Sequence, residues 1–206
     1  MAIKYHLGCG GNYFPGYINV DFPQSEHTIA TVKADMYANL LEMAYEPCEE
    51  IRSHHVFEHF NYIESMALLI KWTRALQING TIRIDLPNME ALSIGLAHAI
   101  LDGNVLRTFR FMRMIYGSHE AKWAYHINGW TKTTMTHVLE KFGFILSDSR
   151  AYGDAECDFP NCGIDMSFKK VKEVSDLKAV CRDIFPLYAV ESSLITLFNN
   201  LLDKLC

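Results

Sequence analysis

The chain has no apolar stretch long enough to span a bilayer, which takes about 20 uninterrupted residues. Its opening, Met1-Ala2-Ile3-Lys4-Tyr5-His6, lacks the apolar run of a secretion signal. There is no CxxC pair: the six cysteines (Cys9, Cys48, Cys157, Cys162, Cys181, Cys206) are scattered along 206 residues. Without an export signal they are expected to be reduced thiols in a cytoplasmic protein. Cys157-x4-Cys162 alone is a poor zinc motif. Basic charge is also scarce. A net charge of −5 excludes a protein whose main work is to neutralise nucleic-acid phosphates. Internal repeats and low-complexity linkers are absent too.

What is present is ordinary for a chain with a real core: 50% of residues are hydrophobic and 21% are charged. Short apolar runs read as strands at Ile3 to Leu7, Tyr17 to Val20, Ile29 to Lys33, Glu50 to Ser53 and Thr81 to Leu86. Met66, Leu69, Ile70, Thr73 and Leu76 form one side of a helix that Asn79-Gly80 is expected to stop. A long helical region follows, from about Glu90 to Tyr116, and another helix from Thr131 to Lys141 ends at Gly143. Phe144 to Ala151 and Ile164 to Lys169 read as adjacent strands with no helix between them, hence an antiparallel hairpin. Beyond Val174 the leucine spacing is helical. Strands alternating with helices imply an α/β fold: a mostly parallel sheet, helices on both faces, a terminal antiparallel hairpin and a C-terminal helical extension. Residues 1–172 are expected to form the main domain, with a helical insertion at about 90–128, and 173–206 the extension.

Leu7-Gly8-Cys9-Gly10-Gly11 follows the first strand, and Asp21 ends the second. Glycine lets backbone approach a ligand closely, and a carboxylate at a strand end can accept from both hydroxyls of a ribose. The run is not G-x-G-x-x-G, and Asp21 comes sooner than the spacing of about 20 residues seen in dinucleotide binders.

The run from His6 to Asp21, His-Leu-Gly-Cys-Gly-Gly-Asn-Tyr-Phe-Pro-Gly-Tyr-Ile-Asn-Val-Asp, resembles the first motif of class I (Rossmann-like) S-adenosylmethionine-dependent methyltransferases. More narrowly it is similar to a bacterial and viral subgroup associated with surface-polysaccharide and sugar biosynthesis, in which the first helix is short. Ser53-His54-His55-Val56-Phe57-Glu58-His59-Phe60 resembles that group's motif after the fourth strand. Trp72-Thr73-Arg74-Ala75-Leu76, Asn79-Gly80-Thr81 and Leu86-Pro87-Asn88 resemble its helix, turn and fifth strand, although Ile78-Asn79-Gly80 replaces the usual Lys-Pro-Gly-Gly. Ile115-Tyr116-Gly117 and Tyr125-His126-x-x-Gly129-Trp130-Thr131 are similar to its substrate-side segment.

The resemblance implies a seven-stranded sheet with S-adenosylmethionine across the carboxyl ends of the first strands, leaving S-adenosylhomocysteine as product. It implies that Gly8 and Gly10 line the methionine part, that Asp21 holds the ribose, that Asp35 lies near the adenine amino group, and that Ser53 and His54 border the sulfonium. The implied activity is O-methylation of a sugar, glycan or other polar small molecule. Proton removal needs a base, and histidine is the natural one. The candidates are His55, His59, His119 and His126, with His126 favoured and Tyr116 able to orient the acceptor. Arg107, Arg110 and Arg113 could meet an anionic acceptor such as a nucleotide sugar, with Trp130 on the same side.

Two other functions fit the residues less closely. One is a non-catalytic subunit that binds the cofactor or its product. The other is a zinc hydrolase, because His55-x-x-Glu58-His59 spells H-x-x-E-H, whose histidines would share a metal on a helix. That reading lacks a further carboxylate ligand, and no metal site is expected. The C-terminal leucine stripe packs on the parent domain or forms a homodimer.

Overall fold

The computed structural model describes residues 2–154 and 159–206. Seven strands form one sheet in the order β3-β2-β1-β4-β5-β7-β6. They are β1 (Lys4–Leu7), β2 (Ile18–Asp21), β3 (Met36–Tyr37), β4 (Cys48–His54), β5 (Leu76–Pro87), β6 (Phe144–Asp154) and β7 (Phe159–Lys170). The first five run parallel, and β7 lies antiparallel between β5 and β6. This is the mostly parallel sheet with a terminal hairpin that the element order implies.

Side chains alternate across a strand, so each strand divides its residues between two faces. Tyr5, Leu7, Val20, Ile51, Ile82, Ile84, Met166 and Phe168 enter one hydrophobic cluster. The helices α1 (Tyr62–Ala75), α4 (Lys132–Lys141), α5 (Leu177–Tyr188) and α6 (Ser192–Leu205) bury residues in the same cluster, Trp72, Leu139, Phe185 and Phe198 among them. The C-terminal helices therefore share the core of the sheet. The helices α2 (Met89–Leu101) and α3 (Val105–Tyr116) make a second, smaller cluster with Cys162 of β7. Helix starts follow their caps: Asn61 and Glu64 form a capping box on α1, and Thr131 and Thr134 form one on α4.

The alternate positions are polar: His6, Asn19, Arg52, His54, Arg83, Asp85 and Asp165. The segments that join β1, β2, β3 and β4 are loop, apart from a 3-10 turn at Gln24–Glu26. Asn19 organises this stretch. Its Oδ1 accepts the amide of Phe14 at 2.9 Å and meets His6 Nδ1 at 3.1 Å, while its Nδ2 donates to Phe14 O at 3.0 Å. The Phe14 ring stacks on His6, with centroids 4.4 Å apart, and the Arg52 guanidinium lies 4.8 Å from the Phe14 centroid. Aromatic and cation–π contacts thus stand where a helix would otherwise cover the strands.

Several local expectations are corrected. Ile29 to Lys33 is not a strand; β3 begins only at Met36, and Asp35 precedes it instead of following a strand. The Val32 amide is taken by the Gln24 side chain, so the segment turns on itself and adds no ladder. Asn79-Gly80 does not stop α1. The helix ends at Ala75 and β5 starts at Leu76, with Asn79 at φ 69° inside a register shift between Cys48 and Glu50. The expected long helix is two, parted near Gly103 with Asn104 capping the second. Cys162 is disulfide-bonded, not reduced, whereas Cys9, Cys48, Cys181 and Cys206 are free thiols; Cys157 lies outside the described residues. No helix among the described residues is long and apolar enough to cross a membrane.

Candidate functional site

β1 runs directly into the glycine loop. Gly8 has φ +70°, and a Cβ there would stand 2.0 Å from Val56 Cγ2, so the loop packs against the end of β4 as only glycine allows. Gly10 has φ +51° with open space around the missing Cβ. Its amide donates to Asp21 Oδ2 at 2.6 Å. Asp21 Oδ1 accepts the Phe22 amide at 2.7 Å and meets His27 Nε2 at 3.1 Å. The glycine loop and the acidic strand end are therefore one hydrogen-bonded unit.

This unit opens into a cavity of about 370 Å³, within the range of small-molecule sites. Of the residues expected around a cofactor, Gly8, Gly10, Asp21 and His54 line it. Asp35 and Ser53 do not. Asp35 accepts from the Asn19 amide at 2.9 Å and from the Tyr13 hydroxyl at 2.8 Å, which holds its carboxyl below the usual range. Ser53 is fully buried. Of the residues expected on the acceptor side, His59, His126 and Arg113 line the cavity. Tyr116, Arg107 and Arg110 lie outside the lining, and Trp130 is buried between Phe57 and Tyr62. His55 also lines it, whereas His119 instead stacks on Tyr125.

The segment after α3 is docked by backbone bonds. The His126 amide donates to Tyr116 O at 3.1 Å, and the amides of Ile127 and Asn128 donate to Glu58 O at 2.9 and 3.1 Å. That places His126 beside the 3-10 turn Phe57–His59. The H-x-x-E-H run is not α-helical: only Phe57–His59 form a 3-10 turn, and His55 sits at φ 48°. The spacing that would bring His55 and His59 to a shared metal is therefore not realised.

A histidine–carboxylate network lines this side. His55 Nδ1 meets Glu58 Oε1 at 3.0 Å, and its Nε2 meets the Tyr152 hydroxyl at 3.1 Å. Tyr152 donates to Asp85 Oδ1 at 2.5 Å, and His54 Nδ1 lies 2.9 Å from Asp85 Oδ2. Burial alone would raise the Glu58 carboxyl, but the His55 hydrogen bond and the charges of His55, His59 and His126 outweigh it and hold it low. Asp85 is likewise held low against burial by His54 and Tyr152. Burial pushes His126 down. Burial, with Asp21 nearby, pushes the Cys9 thiol up to about 12, so it is no nucleophile.

Sequence reasoning misses Asp85, Tyr152, His27 and Trp123. Asp85 carries a faint signal as the acidic residue just before the Leu86-Pro87 strand end. Tyr152 carries none, because the antiparallel hairpin alone brings it there. Glu58 is visible in the H-x-x-E-H run, but as part of the wrong geometry.

No family model matches the sequence, and no curated protein matches it. Solved structures do match in shape. One is a SAM-dependent methyltransferase from Methanosarcina mazei, with TM-score 0.56 at 10% identity over 84% of this chain and 93% of that one. Another is the magnesium protoporphyrin IX methyltransferase of Synechocystis PCC 6803 with bound SAH, with TM-score 0.52 at 10% identity over 82% of this chain and 74% of that one. A third is an S-adenosylmethionine-dependent methyltransferase from Mesorhizobium loti, with TM-score 0.50 at 13% identity over 82% and 90%. The chain has the Rossmann-like methyltransferase fold.

Proposed function

We propose that the chain is an S-adenosylmethionine-dependent methyltransferase acting on oxygen of a sugar, glycan or other polar small molecule. The observation that carries this reading is the 2.6 Å bond from the Gly10 amide to Asp21, at the wall of a cavity in this fold. The residues present fit the cofactor. A carboxylate offers about four lone-pair sites, and the donors already on Asp21 leave room for a ribose hydroxyl. The open space at Gly10 admits backbone contact with the methionine part. Phe22, Ala38 and Leu40 give an apolar surface for a flat base. When bound, S-adenosylmethionine supplies a methyl group on a sulfonium for direct displacement.

The chain supplies position and proton handling. His59 and His126 face the cavity with their Nδ1 atoms against the carbonyls of Tyr125 and Met114, both at 2.9 Å, which leaves Nε2 as the atom that accepts the acceptor proton. Glu58 balances the charge that develops on these rings. Arg113, the one member of the arginine trio in the lining, is placed for an anionic group on the acceptor, such as the phosphate of a nucleotide sugar. The association with polysaccharide synthesis, the cytoplasmic location and the division near residue 172 belong to the same proposal. So does a homodimer through the C-terminal helices, supported by Leu187, Val190 and Leu197 at 68%, 97% and 49% exposure.

Transfer of labelled methyl from S-adenosylmethionine to a panel of sugars and nucleotide sugars tests the reading. Label in a sugar product supports it. Tight cofactor binding with no transfer to any hydroxyl acceptor would favour the non-catalytic binding subunit.

A further inference from the structure

His59 and His126 meet edge to face at the cavity wall, with ring centroids 5.0 Å apart. A carbonyl oxygen only accepts, so the contacts of His59 Nδ1 with Tyr125 O and of His126 Nδ1 with Met114 O fix the proton on Nδ1 in both rings. The basic lone pair of each neutral ring is then at Nε2. Glu58 stands against them, 2% exposed, with its Oε1 at 4.0 Å from His126 Nε2 and engaged by His55. Its Oε2 is buried with no hydrogen-bond partner among the described residues.

A buried carboxylate oxygen without a donor is costly, because nothing replaces the water it gives up on burial. The Nε2 lone pair of His126, 4.0 Å from Oε1 of the same carboxylate, makes the space more electron-rich still. One candidate ligand atom from each of Glu58, His59 and His126 lies within 4.8 Å of the other two. Metal-binding histidines typically donate the second ring nitrogen to a carbonyl or carboxylate, which fixes tautomer and orientation. Both histidines here do so before any ion is present.

We propose that Glu58, His59 and His126 form a binding site for one divalent transition-metal ion at the wall of the cavity. Two imidazoles and a carboxylate on one side of an ion leave its other positions open toward the cavity. Imidazole with a single carboxylate favours Zn²⁺, Co²⁺ or Mn²⁺ over Mg²⁺, which prefers an oxygen shell. The ion's role rests on the methyltransferase reading: it takes a lone pair of the acceptor hydroxyl as a Lewis acid and lowers its pKa, and the proton leaves to water. No electron is transferred. With the ion bound, the Nε2 lone pairs of His59 and His126 are committed to it and do not take the acceptor proton, so these histidines act on the acceptor through the ion. The site itself does not depend on that reading.

Chelator-treated protein is titrated with Zn²⁺ by calorimetry and with Co²⁺ by visible absorption, and S-adenosylmethionine is titrated separately into the same preparation. The expected result is one saturable ion per chain at micromolar affinity or better, weakened at least 100-fold in His59→Ala and His126→Ala and unchanged in His119→Ala. Because Glu58→Gln risks misfolding in a buried position, nitrogen NMR of the wild-type imidazoles provides a second measurement, with Zn²⁺ shifting Nε2 of His59 and His126. Absence of saturable binding to folded wild type, binding that survives both alanine variants, or unshifted Nε2 signals would overturn the proposal. If Zn²⁺ binds and S-adenosylmethionine does not, the ion site stands and the methyltransferase reading falls; the reverse result sinks the ion site alone.

Discussion

His27 Nε2 lies 3.1 Å from Asp21 Oδ1, so the carboxylate expected to hold a ribose is already engaged by a side chain of its own loop. The His27 ring rests against Trp123, with centroids 5.0 Å apart, and Trp123 Nε1 donates to Glu26 O at 2.7 Å. His27 and Trp123 reach the cavity lining beside Asp21 from separate parts of the chain. A ribose hydroxyl that takes Oδ1 must displace the imidazole, at the cost of one hydrogen bond to a charged group, about 1.5–3 kcal/mol. His27→Ala removes that competitor. It is expected to tighten S-adenosylmethionine binding about tenfold or more by calorimetry, and a tenfold loss would instead make the imidazole part of the ribose site.

A second expectation concerns stability. Lys170 is buried, and its Nζ donates to Thr73 O at 2.8 Å and Leu76 O at 2.7 Å, the carbonyls at the carboxyl end of α1. A cation there satisfies two acceptors left over by the helix and opposes its dipole. Lys170→Met keeps much of the volume and leaves both carbonyls without a donor. The expected loss is about 3 kcal/mol in urea unfolding, or roughly 6–12 °C in Tm for a chain of this size. A loss below about 1 kcal/mol would mean that water replaces the ammonium at little cost.

The acid limb of stability should report Asp35. Its carboxyl is held low first by the Asn19 backbone bond, then by the Asn19 and Tyr13 side chains. A carboxyl depressed on folding contributes stability that is present above the unfolded value, about 3.9, and lost as pH falls through the lower folded value. Asp35→Asn should therefore be less stable than wild type at neutral pH, with the difference shrinking below about pH 4. A difference independent of pH from 6 to 2 would show that the carboxylate charge is not what its partners hold.

The three arginines of α3 separate in space although they are evenly spaced in sequence. Arg113 lines the cavity, and Arg107 and Arg110 do not. Once an anionic acceptor is identified, Arg113→Ala should raise its KM about tenfold or more, the scale of one charge-assisted pair. Arg110→Glu should leave KM within twofold. Equal effects of the two changes would point to long-range charge and not to contact.

What the sequence disclosed and what it hid divide by distance along the chain. Gly8, Gly10 and Asp21 were legible because strand, turn and strand end are neighbours whose backbone demands show in residue type. The hairpin of β6 and β7 was legible from two apolar runs without a helix between them. Ile29 to Lys33 misleads because apolar residues there serve a loop closed by Gln24, which no local pattern reveals. Asn79-Gly80 misleads for a related reason: the same φ > 0 that caps a helix also makes a bulge, and only the pairing with β4 decides between them. Lys170 under α1 and Tyr152 on Asp85 are contacts between distant segments, set by the register of the hairpin. His126 drew notice by its resemblance to a known segment, but its partner Glu58 emerges only when residues 126–128 are seen bonded to the turn after β4.

The central claim is that the cavity beside Asp21 binds S-adenosylmethionine, and calorimetric titration of wild type and Asp21→Asn tests it most directly. Asparagine keeps the size of the side chain and one acceptor, for the Gly10 amide, but loses the acceptor of the Phe22 amide, so circular dichroism first checks that the variant is folded. The account predicts micromolar binding of S-adenosylmethionine and S-adenosylhomocysteine to wild type, weakened by about 2 kcal/mol, or roughly 30-fold, in the variant. Folded wild-type protein that binds neither compound would contradict it.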